Sequence, residues 1–109
     1  MTLNFPRWLL VLAASLPLAG NASTAATPTP ARVLLVVSGE GRDQGKTRPG
    51  FEMDEFAQAW LILRQNGFEI DVASPAGGAV QADKYNPAEA FNAALLADPQ
   101  AVAKLAATL

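Results

Sequence analysis

The chain has 109 residues, no Cys, no His, and eight Lys and Arg against ten Asp and Glu, a formal net charge of −2. That length holds one domain at most. Without Cys there is no disulfide, thiolate metal site or thiol nucleophile in these residues, without His there is no Ser-His pair or common zinc ligand, and the weak acidic balance leaves no footprint for nucleic acid.

Residues 1–26 have the three parts of a secretory signal peptide. Arg7 supplies the positive start, Trp8-Leu9-Leu10-Val11-Leu12-Ala13-Ala14 opens an apolar run that continues through Leu16 and Leu18, and small residues follow from Ala19 to Ser23. Cleavage is expected near Ala22 to Ala26, which predicts a secreted or periplasmic protein with no membrane span once the leader is removed. An uncleaved anchor is the competing reading, but a span needs ~20 apolar residues and this run is shorter. The lack of Cys excludes a lipoprotein anchor. Thr27-Pro28-Thr29-Pro30 makes residues 27–31 a Pro-rich linker, extended because Pro fixes φ and removes a donor.

Val33-Leu34-Leu35-Val36-Val37 is an unbroken apolar run with three β-branched residues. It predicts a strand buried on both faces, as in a parallel sheet. Ser38 to Gly50 is a loop with glycines at 39, 41, 45 and 50. Phe56, Ala59, Trp60 and Leu63 then recur at helical spacing and predict an amphipathic helix. Glu52, Asp54 and Glu55 crowd its first turn, Arg64 lies in its last, and Gly67 stands where a left-handed cap is needed. Phe68 to Ala73 alternates apolar and polar, the pattern of a second strand with one wetter face. Strand, helix and strand over this distance form a βαβ unit with parallel strands.

Beyond the second strand, Ala79 to Tyr85 suits a short edge segment. Asn86-Pro87-Ala88-Glu89 predicts a helix start, and Asp98-Pro99 repeats the cap-then-Pro signal. Val102, Leu105, Ala106 and Leu109 form a closing apolar stripe. Two parallel strands are too few for a covered sheet, and a doubly wound domain asks for ~150 residues or more. Residues 32–109 are therefore expected to be the N-terminal portion of a larger α/β domain, whether as a fragment, a truncated gene or a frameshifted product.

The glycine loop contains Gly45-Lys46-Thr47, yet it is not a P-loop. That motif needs four residues between its first Gly and the Gly-Lys-Thr; Gly41 leaves three and Gly39 leaves five. Pro49 also prevents Arg48 from leading straight into a helix. The dinucleotide fingerprint fails as well, because Gly41 and Gly45 are separated by three residues where two belong. No cofactor and no metal-ligand set is read from the chain. The loop does lie at the carboxyl end of the first strand, where open α/β sheets bind ligands. Glu55, in the helix turn that follows, can serve there as a proton donor or acceptor. It fits a plain dipole-complementing acid equally well, as do Glu52 and Asp54.

The stretches Gly-Lys-Thr-Arg-Pro-Gly-Phe-Glu-Met-Asp-Glu-Phe at 45–56 and Asn-Gly-Phe-Glu-Ile-Asp-Val-Ala-Ser-Pro-Ala-Gly-Gly at 66–78 resemble the ThiJ/PfpI family. Ala-Asp-Lys-Tyr at 82–85 and Phe-Asn-Ala-Ala-Leu-Leu-Ala-Asp-Pro at 91–99 extend the likeness. The family is a branch of the class I glutamine amidotransferase-like superfamily, and the likeness is to its glyoxalase III and chaperone members. It covers the N-terminal third to half of the family's domain. It implies a flavodoxin-like three-layer sandwich with a parallel sheet. It also implies that Glu55, twelve residues before Gly67, matches a catalytic Glu that is protonated and hydrogen-bonds a nucleophilic Cys, holding it as thiolate. The implied reaction is attack on a small α-oxoaldehyde such as methylglyoxal, giving lactate. Neither the Cys nor its neighbouring His is present here, so the reaction would belong to a full-length parent. Two other readings stay open: a holdase-type chaperone of the same fold, and a non-functional fragment. Family members often dimerise, with no interface assignable to residues of this chain.

Overall fold

Two strands and three helices build the chain from Arg32 onward. The computed structural model describes Gly20 and residues 26–109, so the leader reading at 1–26 lies almost wholly outside the described residues. Residues 27–31 carry no regular secondary structure and are exposed. β1 is Arg32–Val36, α1 is Met53–Gln65, β2 is Glu69–Ala73, α2 is Ala90–Leu96 and α3 is Pro99–Ala106.

β1 and β2 pair in parallel, with Arg32 opposite Glu69 and Val36 opposite Ala73. The ladder runs one step further at each end, through Glu69 N–H to Ala31 O and Val37 N–H to Ala73 O, both 2.9 Å. The parallel βαβ reading is thus correct for this sheet. The expectation that β1 is buried on both faces is not. Leu35 and Val37 pack against the core, but Leu34 and Val36 on the opposite face are 55% and 69% exposed. The apolar run would suit a doubly covered strand, and among the described residues only one face is covered.

The core lies between that covered face and the helices. Met53, Phe56, Ala57 and Trp60 of α1 are buried with Ile70 and Val72 of β2, Leu95 of α2 and Ala101 of α3. The predicted α1 stripe is therefore half right. Phe56 and Trp60 are buried, whereas Ala59 and Leu63 are half-buried and Met53 and Ala57 join the core. The stripe is wider because α1 touches both the sheet and α2. Its carboxyl end follows the sequence signal. Gly67 has φ +81°, its N–H reaches Arg64 O at 3.1 Å, and Phe68 N–H reaches Leu63 O at 3.1 Å. Those two bonds are the Schellman pair, and they fold the chain directly into β2.

The later elements need more correction. No strand forms over 79–85; the segment makes one parallel bridge, Ala82 with Phe51. The helix expected from Asn86 starts instead at Ala90. Asn86 Oδ1 accepts from Ala88 N–H at 3.0 Å, a local turn that closes before the helix begins. Asp98 caps as predicted: its Oδ1 accepts from Gln100 N–H at 2.9 Å, with Pro99 at the first helical position. The closing stripe is displaced. Ala101 is buried and Leu105 packs against the core, but Val102 is 44% exposed and Leu109 lies beyond the end of α3. The residues after α3 turn back along β2, where Leu109 N–H donates to Val72 O and Ser74 N–H donates to Leu109 O. Thr108 hydroxyl donates to Gly78 O at 2.7 Å and meets the buried Ser74 hydroxyl at 2.5 Å.

Two carboxylates tie the elements together. Asp71 on β2 faces Arg32 at 2.5 Å and Lys104 of α3 at 3.1 Å. The Arg32 hydrogen bond, then that of Lys104, hold its carboxyl below the usual range. Asp98 joins α1 to α3, because its Oδ2 accepts the Trp60 indole N–H at 2.8 Å. Partial burial pushes Asp98 up, but the Trp60 indole, the Gln100 and Ala101 amides and the Arg64 charge together outweigh it and hold the group below its ordinary value.

A carboxyl depressed in the folded chain stabilises above its unfolded pKa, and that stabilisation is lost as pH falls through the folded value. The melting temperature is accordingly expected to hold from neutrality to about pH 5 and to drop below about pH 4. Asp98→Asn should flatten that drop, and Asp98→Ala should cost ~1–3 kcal/mol by removing a cap and an indole acceptor together. Thermal melts across pH, followed by circular dichroism, check both.

Candidate functional site

The carboxyl end of β1 opens into a hollow of about 420 Å³. Its floor is Leu35 to Ser38, its rim is Gly50 to Glu52, and its far wall is the first two turns of α1, with Glu55, Phe56 and Ala59. This is the crevice that the strand–loop–helix order predicts. Phe51 and Phe56 meet edge to face at 5.7 Å between ring centres and line it with apolar surface.

The three acids at the start of α1 are separated by the fold. Glu55 and Glu52 line the hollow and are exposed to solvent. Asp54 does not line it. Its Oδ1 accepts from the side-chain amide of Asn92 in α2 at 2.7 Å. Glu52 sits at the cap position of α1 without making a side-chain cap hydrogen bond. Glu55 is thus an acid on the wall of a concave apolar site, close to the positive end of a 13-residue helix. Such a group can give or accept a proton at a carbonyl or thiol placed in the hollow.

The glycine loop positions this wall by close backbone contact, not by cradling phosphate. A Cβ on Gly41 would lie 2.3 Å from Gln81 O, and one on Gly50 would lie 2.2 Å from the same oxygen. Gly41 and Gly50 also face each other, each blocking a Cβ on the other at 2.9 Å. Only glycine admits three strands of backbone so near one another. Asp83 completes the junction, with its Oδ1 accepting from Gly50 N–H at 2.6 Å and its own N–H donating to Phe51 O at 2.9 Å. The loop between is held by Arg42 N–H to Arg48 O at 3.0 Å and by the Arg48–Glu40 ion pair at 2.5 Å. Asp43 and Gln44 pay in backbone strain for that tight path, with φ of +52° and +56°.

Sequence reasoning singled out Glu55, Glu52 and Asp54 but missed Asn92 and Asp83. Both lie more than thirty residues from the groups they hold, and neither stands at a spacing that would have marked it. Among the described residues, no three acidic side chains converge on a point where a metal ion could sit. No described helix is long and apolar enough to cross a membrane. No protein-family model, curated protein or solved structure matches the chain.

Gly50→Ala should push the rim of the hollow away from Gln81, since neither backbone can give way. A loss of ~1–3 kcal/mol is expected from such overpacking. Chemical denaturation of the variant checks the magnitude, and an unchanged midpoint would show that the junction is loose.

Proposed function

We propose that these residues form the Glu55-bearing wall of an α-oxoaldehyde site of the ThiJ/PfpI type, in an exported protein whose full-length parent supplies the nucleophilic thiol. The observation that carries the reading is the position of Glu55: of the first-turn acids, it lies deepest along α1 on the side of an apolar hollow at the carboxyl end of β1. A flavodoxin-like sandwich is the fold this reading implies, with the parallel β1–β2 pair as part of its sheet.

In this reading the Glu55 carboxyl hydrogen-bonds the incoming sulfur, the part that the resemblance gives it. The thiolate attacks the aldehyde carbon of methylglyoxal to give a hemithioacetal, a proton shift from that carbon to the neighbouring ketone carbon gives a lactoyl thioester, and water cleaves its C–S bond to release lactate and the thiol. Proton transfers at the two oxygens and at carbon need an acid and base within reach of the adduct, and the proposal gives Glu55 that part. Leu35, Val37, Phe51 and Phe56 give the hollow apolar surface that suits a small methyl ketone.

A second reading rests on a different observation. Leu34 and Val36 leave an exposed apolar face on β1, and Ile62 on α1 is 59% exposed. Such surface suits a holdase-type chaperone, which needs no thiol.

The test is glutathione-independent consumption of methylglyoxal. The 109-residue chain alone should show none, since it has no Cys. A full-length parent carrying the thiol should turn over, and Glu55→Ala or Glu55→Gln should slow it by ~10²-fold or more, the usual worth of a positioned acid–base group. Unchanged turnover in those variants would remove Glu55 from the chemistry. Absence of turnover with suppression of client aggregation would favour the holdase.

A further inference from the structure

Two adjacent acids, Asp54 and Glu55, stand in the first turn of α1, and Glu55 lines the hollow while Asp54 does not. The distinguishing contact comes from α2. Asn92 is fully buried, and its side-chain amide donates to Asp54 Oδ1 at 2.7 Å and to the backbone oxygen of Asn86 at 2.9 Å. The first bond draws Asp54 toward α2. The second anchors the same amide to the turn that precedes α2, so Asn92 is itself held on two sides. Successive helical residues are turned by ~100° about the axis, so fixing Asp54 against α2 fixes the direction of Glu55 as well. Glu55 then points to the side occupied by β1 and lines the hollow.

Stability alone does not account for this residue. A wholly buried amide is a costly choice at a helix interface, and an apolar side chain of similar size is the usual occupant. Both donors of Asn92 are used, while no described protein group donates to its Oδ1. The role of the residue therefore lies with its donors, and one of those reaches the residue next to Glu55.

We infer that Asn92 is a positioning residue: by holding Asp54 against α2 it adds to the burial of Met53, Phe56 and Ala57 in fixing the first turn of α1, and so directs Glu55 into the hollow. The inference rests on the reading of Glu55 given above, but it concerns the direction of a side chain and can be checked without any reaction.

The experiment is side-chain NMR on the 109-residue chain, following contacts from the Glu55 methylenes to Val37 and Phe51. In the unsubstituted chain those contacts should be present. Asn92→Leu keeps the branching at Cγ and removes the donors, at the cost of a larger side chain in a buried place. It should weaken the Glu55 contacts severalfold while the Trp60 indole N–H stays bonded to Asp98, which reports that the fold persists. Asn92→Asp sets a second carboxylate against Asp54. It should lose the Glu55 contacts at neutral pH and regain them in acid, when one carboxyl takes a proton and can donate to the other. A buried residue that merely filled space would show no acid rescue in Asn92→Asp. Retained Glu55 contacts in Asn92→Leu would overturn the inference. Missing contacts in the unsubstituted chain would instead count against Glu55 as the wall of the site.

Discussion

Among the described residues Trp60 is the largest fully buried side chain, and burying an indole leaves its N–H in need of an acceptor. Asp98 is that acceptor, and the rest of the described structure depends on the pair. One oxygen of Asp98 accepts the hydrogen bond from the indole N–H and the other caps α3. A single carboxylate therefore fixes how α3 begins and where it lies against α1. Phe56 stacks on Trp60 at 6.0 Å between ring centres, which carries the same constraint one turn back along α1. Removing the acceptor would leave a buried donor unpaired and an uncapped helix at once.

The same helix delivers the site. Its middle is locked by Trp60, its carboxyl end by the Gly67 turn into β2, and its start by Asp54 bonded to Asn92. With those points held, Glu55 has little choice of direction. Gly50, on the rim of the hollow that Glu55 borders, belongs to the Gly41–Gly50–Gln81 junction, where three backbones meet without room for a Cβ. The loop that carries a Gly-Lys-Thr sequence thus has a structural explanation: its glycines permit contact between chain segments, and its strained residues shape the turn that brings them there.

Much of this was legible from local patterns. The βαβ unit, the left-handed Gly67 and the Asp98 cap each rest on a signal contained within a few residues, and each is present. What the sequence could not convey was long-range. Leu34 and Val36 belong to a run that resembles a doubly covered strand, but periodicity says nothing about whether a second layer is there. Asn86 carries a helix-start signature, yet its side chain closes a turn first and the helix waits until Ala90. Glu55 could be marked by its place after the strand, but its separation from Asp54 required Asn92, whose bond spans 38 residues. Asp83 escaped notice for the same reason.

The most direct measurement of the central claim is an experimental structure of a polypeptide containing these residues together with the proposed thiol. The account predicts a Cys sulfur within hydrogen-bonding reach of the Glu55 carboxyl, across the hollow floored by Leu35 to Ser38. A Glu55 carboxyl turned to open solvent, with the nearest thiol elsewhere in the fold, would contradict it.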